Sequence, residues 1–216
     1  MRAPASIALA ALALLAAPVA FAQGAQDAVR FGVPAGTGPF TVPITVSDAA
    51  GTPLGVDRPA GQRIQAFAIT VRFTPAAAVS SASLVRAGLL AGRTPVFETT
   101  ATGPGTITWV GSFDESAGAI PFTQPPGSGN QILTLSVTLA PGATVSASFD
   151  APTTSLSNQG GTLSEGPADA TLVLGSAMAL PLGAAEAPPI PALGVLGLGT
   201  LAAALAAAGA LLSRRS

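Results

Sequence analysis

Between residues 40 and 149 apolar side chains recur at every second position in short runs separated by Gly, Pro and Ser. Phe40, Val42, Ile44 and Val46 alternate with Thr41, Pro43, Thr45 and Ser47, and Phe67, Ile69, Val71 and Phe73 alternate with Ala66, Ala68, Thr70 and Arg72. Ile107, Trp109 and Phe113 share a parity opposite Thr106, Thr108 and Ser112. Leu133, Leu135, Val137 and Leu139 lie opposite Thr134, Ser136 and Thr138, and Val145, Ala147 and Phe149 form a further run. A period of two places alternate side chains on opposite faces of a strand, so each run predicts one apolar and one hydroxyl-rich face. Weaker strands are expected at Ala28–Val33, Pro95–Thr99 and Ala170–Leu174, and no stretch of this region has helical amphipathicity. Two half-apolar sheets closed on each other give a single all-β sandwich, of jelly-roll or Ig-like type, with eight or nine strands. Pro43 inside a run predicts an edge or a bulge. Loops are expected at Ala49–Gly61, Ser116–Gly129 and Gln159–Asp169.

The two ends of the 216-residue chain read differently. Arg2, the apolar Ile7–Ala17 and the Ala20-Phe21-Ala22 triplet before Gln23 form the three parts of a secretory signal, so residues 1–22 are expected to be removed by cleavage after Ala22. The sandwich is then assigned to 23–180 and a Pro-rich spacer to 181–189. From Ile190 to Leu212 there is no charge, which as a helix of about 1.5 Å per residue exceeds a bilayer core of about 30 Å. Residues 190–216 are therefore expected to be a transmembrane helix ending in Arg214 and Arg215, which the positive-inside rule places in the cytoplasm.

Composition then removes whole classes of chemistry. Lys, His, Cys and Tyr are all absent, so no Ser-His, Cys-His or Ser-Lys nucleophile and no His or Cys zinc site can be assembled. Between Gln23 and Ala187 six arginines face ten acids, a formal charge of −4, which offers no basic footprint for nucleic acid. Only a carboxylate pair of glycosidase type remains open to catalysis. Asp114 and Glu115 are adjacent, and neighbours on a strand point to opposite faces, so the expected reading is non-enzymatic. No cofactor is expected apart from calcium, for which Asp114, Glu115 and Asp150 are the candidate ligands. Trp109, the only tryptophan, is the candidate glycan contact, although its parity with Ile107 and Phe113 points into the core.

Ile64-Gln-Ala-Phe-Ala-Ile-Thr-Val-Arg-Phe-Thr-Pro75 resembles the cohesin-type pattern of an alternating strand closed by an aromatic residue and Pro, with Thr74 where Asp is usual. Val42–Gly51, Gly105–Gly111 and Gln131–Leu139 are similar to the strands around it. The resemblance implies a nine-stranded jelly roll, related in fold to carbohydrate-binding modules, that docks dockerin modules or serves in adhesion at a cell surface. Ile190-Pro191-Ala192-Leu193, the apolar run and Arg214-Arg215 resemble the IPTL-type relatives of PEP-type sorting signals, with Ala192 in place of Thr. That resemblance implies an exosortase-like membrane partner in Gram-negative bacteria, a plain membrane anchor being the alternative. The expected function is thus an exported cell-envelope module for adhesion, matrix or complex assembly. Its expected partner is a dockerin-like extracellular protein, and the alternative is a carbohydrate-binding module used in polysaccharide binding or breakdown.

Overall fold

The computed structural model describes residues 25–123 and 130–181. Its strands are β1 (Asp27–Phe31), β2 (Phe40–Ser47), β3 (Ala66–Thr74), β4 (Val79–Arg86), β5 (Pro95–Gly103), β6 (Thr106–Phe113), β7 (Gln131–Leu139), β8 (Val145–Phe149), β9 (Ser155–Ser157), β10 (Ser164–Glu165), β11 (Leu172–Leu174) and β12 (Met178–Leu180). A five-stranded sheet runs β11-β1-β2-β7-β4. A seven-stranded sheet runs β10-β9-β3-β6-β5, with β8 also paired to β3 and β12 to β8. The signal segment, most of the spacer and the apolar tail lie outside the described residues. Among those described, no helix is long and apolar enough to cross a membrane.

The period-two runs become the central strands. Val42, Ile44 and Val46 of β2 and Leu133, Leu135 and Val137 of β7 are fully buried against Ile69, Val71 and Trp109 of the facing sheet. Phe67 anchors an aromatic cluster, 6.3 Å from the rings of Trp109 and Phe113 and 6.4 Å from that of Phe122. Each such side chain is worth about 1.5–3 kcal/mol on burial, so this single apolar layer supplies the driving force for closure. At Trp109 the packing reaches the backbone of its own strand. A Cβ on Gly111 would sit 2.4 Å from the indole Cη2, so only glycine lets the ring lie there.

Two expectations need correction and a third resolves between its alternatives. The described residues hold twelve strands rather than eight or nine. The additional ones are β4, which is Ser-rich and lies at a sheet edge, and three strands of two or three residues each, all without a measurable period. Of the edge or bulge expected at Pro43 the structure shows the second, because β2 lies between β1 and β7 and its register against β7 shifts just after Pro43, between Ile44 and Thr45. The expected loop at Gln159–Asp169 contains β10, paired with β9.

Candidate functional site

Register assigns the outer face of the larger sheet. On β3 it carries Ala66, Ala68 and Arg72, with Thr70 buried beneath the 153–154 segment, opposite Ser112, Val110, Thr108 and Thr106 of β6. On β5, Phe97, Thr99 and Ala101 continue the same face. Small side chains on paired strands make this surface flat. Its one charge is Arg72, whose Nη2 lies 2.5 Å from Asp150 Oδ1. Thr153 Oγ1 donates to the other Asp150 oxygen at 2.6 Å. The Thr153 hydroxyl first, then Arg72, hold the Asp150 carboxyl below its ordinary range. β5 is exposed along almost its whole length, and Phe97 is the exposed aromatic among the described residues.

The acids singled out from the sequence fall into separate local arrangements. Asp114 caps the short turn at Glu115–Ala117, accepting from Ser116 N at 2.8 Å and Ser116 Oγ at 2.7 Å, and these bonds lower its pKa. Glu115 Oε2 accepts from Gly61 N at 2.6 Å, with Arg63 3.9 Å from its other oxygen. Asp150 belongs to the Arg72 pair. Among the described residues no three Asp, Glu, His or Cys side chains are grouped as a metal shell, so Asp114, Glu115 and Asp150 do not make the calcium site suggested for them. Trp109 is 0% exposed, so neither ring face is open to a sugar. Its Nε1 donates to Glu98 Oε1 at 2.9 Å, and Arg86 Nε donates to the same oxygen at 3.1 Å. Arg86 of one sheet and Glu98 of the other thereby tie the two layers together on the β4–β5 side.

A second polar link between the sheets was not foreseen. Asp27, Asp48 and Glu165 are each 0% exposed. Asp27 begins β1, Asp48 follows β2, and Glu165 ends β10 in the opposite sheet. Asp27 Oδ1 accepts from Ala49 N at 2.7 Å, Glu165 Oε1 from Leu54 N at 2.8 Å, and Asp48 Oδ2 from Val56 N at 2.8 Å. The Asp27 and Glu165 carboxyls are within hydrogen-bonding reach of each other. Burial, above all, raises the pKa of both; Asp48 adds repulsion, while Arg58 acts on Glu165 in the other direction. Gly55 closes the loop over them at φ +149°, where a Cβ would lie 2.7 Å from Asp48 Oδ1 and 3.0 Å from Asp57 Oδ1. These three acids carry no sequence signal, because they stand far apart in the chain and two of them, Asp27 and Glu165, border the short β1 and β10.

The chain matches no protein-family model and no curated protein. Among solved structures it is similar to CaCohA2 from Clostridium acetobutylicum, at 13% identity over 76% of this chain and 95% of that one, with a TM-score of 0.49. It is similar to the third cohesin of ScaC, solved with the ScaB dockerin, from Acetivibrio cellulolyticus, at 17% identity over 74% and 100%, TM-score 0.46. A type II cohesin module from the ScaA scaffoldin of the same organism is 8% identical over 77% and 99%, TM-score 0.45. These likenesses assign no partner and no residue role.

Proposed function

We propose that this chain is a non-catalytic, exported binding module that docks a protein partner flat against the outer face of its seven-stranded sheet. The observation that carries the reading is that face itself: a broad run of Ser, Thr and Ala across β3, β6 and β5, with one ion pair and the exposed Phe97 at its border. A flat, nearly uncharged surface suits a protein epitope, in which an aromatic anchor is surrounded by small neighbours that exclude water. It does not suit a substrate, which needs converging acids. The hollow beside Asp114 is lined by Gly92, Arg93, Thr94, Phe113 and Ala117, with no second carboxylate among them. The cohesin-type pattern at Ile64–Pro75 makes a dockerin-like module the partner of choice, and burial of Trp109 weighs against the polysaccharide alternative. The signal-like start and the apolar tail support display at the cell envelope, with an exosortase-like enzyme acting on the tail.

Capture of secreted proteins from the same cells on the immobilised chain tests the docking face. Thr99→Arg with Ala101→Arg, both exposed, should abolish capture of a dockerin-type protein, whereas Ser136→Arg on the smaller sheet should leave it intact. Capture unchanged by the β5 pair, or retention on polysaccharide alone, would sink the reading. For the address, mass spectrometry of the native protein should find Gln23 as the first residue and a C-terminus short of Ser216.

A further inference from the structure

The docking face stops at β5, and the edge of that strand is a second surface with a geometry of its own. Phe113 N donates to Gln65 O and Phe73 N to Gly105 O, so the odd-numbered residues of β6 turn their backbone groups toward β3. The even-numbered ones therefore bond β5, where register sets Thr106, Thr108, Val110 and Ser112 opposite Gly103, Ala101, Thr99 and Phe97. The N–H and C=O groups of Glu98, Thr100 and Thr102 are left pointing away from the sheet, along the edge that β5 forms. The edge strands β10, β11 and β12 are two or three residues long, too short a row to template another strand. Of the two long edges, β4 and β5, only β5 carries an exposed aromatic, and its one charge, Glu98, is turned onto Arg86 and Trp109.

We propose that two copies of this chain pair β5 to β5 in antiparallel sense about Thr100, so that their larger sheets run on as one. A single self-register engages all the outward residues: Thr100 faces its own counterpart, and Glu98 faces Thr102 of the second copy. Each such pair exchanges two main-chain hydrogen bonds. In that register Phe97, 54% exposed, falls opposite Gly103 of the second copy, in the closer, non-hydrogen-bonded kind of pair. Val96, 63% exposed, comes to the exposed Pro104 turn. The apolar side chains beside the edge thus meet a residue with no side chain, and an aromatic ring laid over a facing glycine stabilises a paired edge. Charge fits as well: the two Glu98 carboxylates stand four residues apart along the paired strands, about 13 Å, beyond a Debye length of about 8 Å. Segments 124–129 and 182–189 hold prolines and glycines with no alternating run, and so offer the edge no rival strand. One pair of strands makes a small interface, under about 1,200 Å² in total, the size of a transient contact. The pairing uses the strand edge and does not depend on the docking reading; with both in place, two docking faces stand side by side.

Sedimentation equilibrium tests it on the full chain, kept in mild detergent because of the apolar 190–212 run. Loaded from about 10 µM to about 1 mM, the parent should show reversible dimers. Thr100→Pro removes the N–H at the centre of the pairing on both copies, leaves the β6 ladder whole, and should abolish the dimer. Thr102→Arg places a cation opposite Glu98 and should tighten association about threefold or more, whereas Thr102→Glu should weaken it by as much. The Thr102 side chain is exposed, so this pair of variants decides the matter even where the proline variant does not fold. A parent that stays monomeric throughout the range overturns the proposal. A dimer indifferent to Thr100→Pro overturns it by placing the interface elsewhere, and one indifferent to both changes at Thr102 overturns it by removing the register.

Discussion

Two carboxylates join the sheets of this sandwich, one on each side of the core, and their surroundings are opposite. Glu98 bridges to β4 with an arginine and an indole N–H converging on one oxygen, so its charge is balanced and its orbitals are filled. Glu165 bridges to β1 by facing another acid, the two carboxyls lying within hydrogen-bonding reach of each other. Exposure differs in the same sense: the Glu98 side chain is 30% exposed, whereas Asp27 and Glu165 are 0% exposed. A neutralised bridge is complete as a structural feature. The other corner is relieved by a proton instead, since burial and the Glu165 carboxyl push Asp27 up to about 9.

The comparison breaks most visibly at the core that supports the Glu98 bridge. Trp109→Ala should cost about 3–5 kcal/mol in denaturant unfolding, as a large cavity opens and Glu98 loses a donor. Gly111→Ala should cost about 1–3 kcal/mol, because its methyl must displace the indole it would touch. A loss no greater than that of a surface substitution would show that the ring does not lie over the strand. The same acid-to-amide change then sharpens the contrast between the two corners. Glu98→Gln should lower stability by about 1 kcal/mol, since Arg86 loses its counter-charge. Asp27→Asn, measured beside it at neutral pH, should leave the urea midpoint unchanged or higher, since an acid pushed up to about 9 is already uncharged there and the amide still offers a donor to Glu165. Equal signs for the two would erase the distinction.

The smallest effect belongs to the Arg72–Asp150 pair, which lies on the surface with the arginine side chain 54% exposed. Arg72→Ala should cost less than about 1 kcal/mol and less still at high salt. Because the folded-state pKa of Asp150 is lowered, its contribution is in place above the ordinary carboxylate value of 3.8 and fades as pH falls below it. Parent and variant unfolding curves should therefore converge in acid.

What the order of residues settled by itself is the sandwich and its inside. A period of two in β2, β3, β6, β7 and β8 specifies which side chains turn inward, and every apolar residue on those faces is buried. That information is local, since a strand's pleat sorts its own side chains without reference to the rest of the chain. The absence of His, Cys, Lys and Tyr likewise needed no coordinates to remove most catalytic chemistry. Tertiary structure alone decided the rest. The edge strand β4 has the sequence Val-Ser-Ser-Ala-Ser-Leu-Val-Arg, buries fully only Leu84, and is placed by its ladder to β7. Glu98 became a partner of Trp109 only because β5 pairs with β6 in one register. Asp27, Asp48 and Glu165 met only because segments from different sheets, far apart in the chain, bring their carboxyls to one corner. Contacts of that kind depend on how distant segments come together in space, and no local pattern of polar and apolar residues records it.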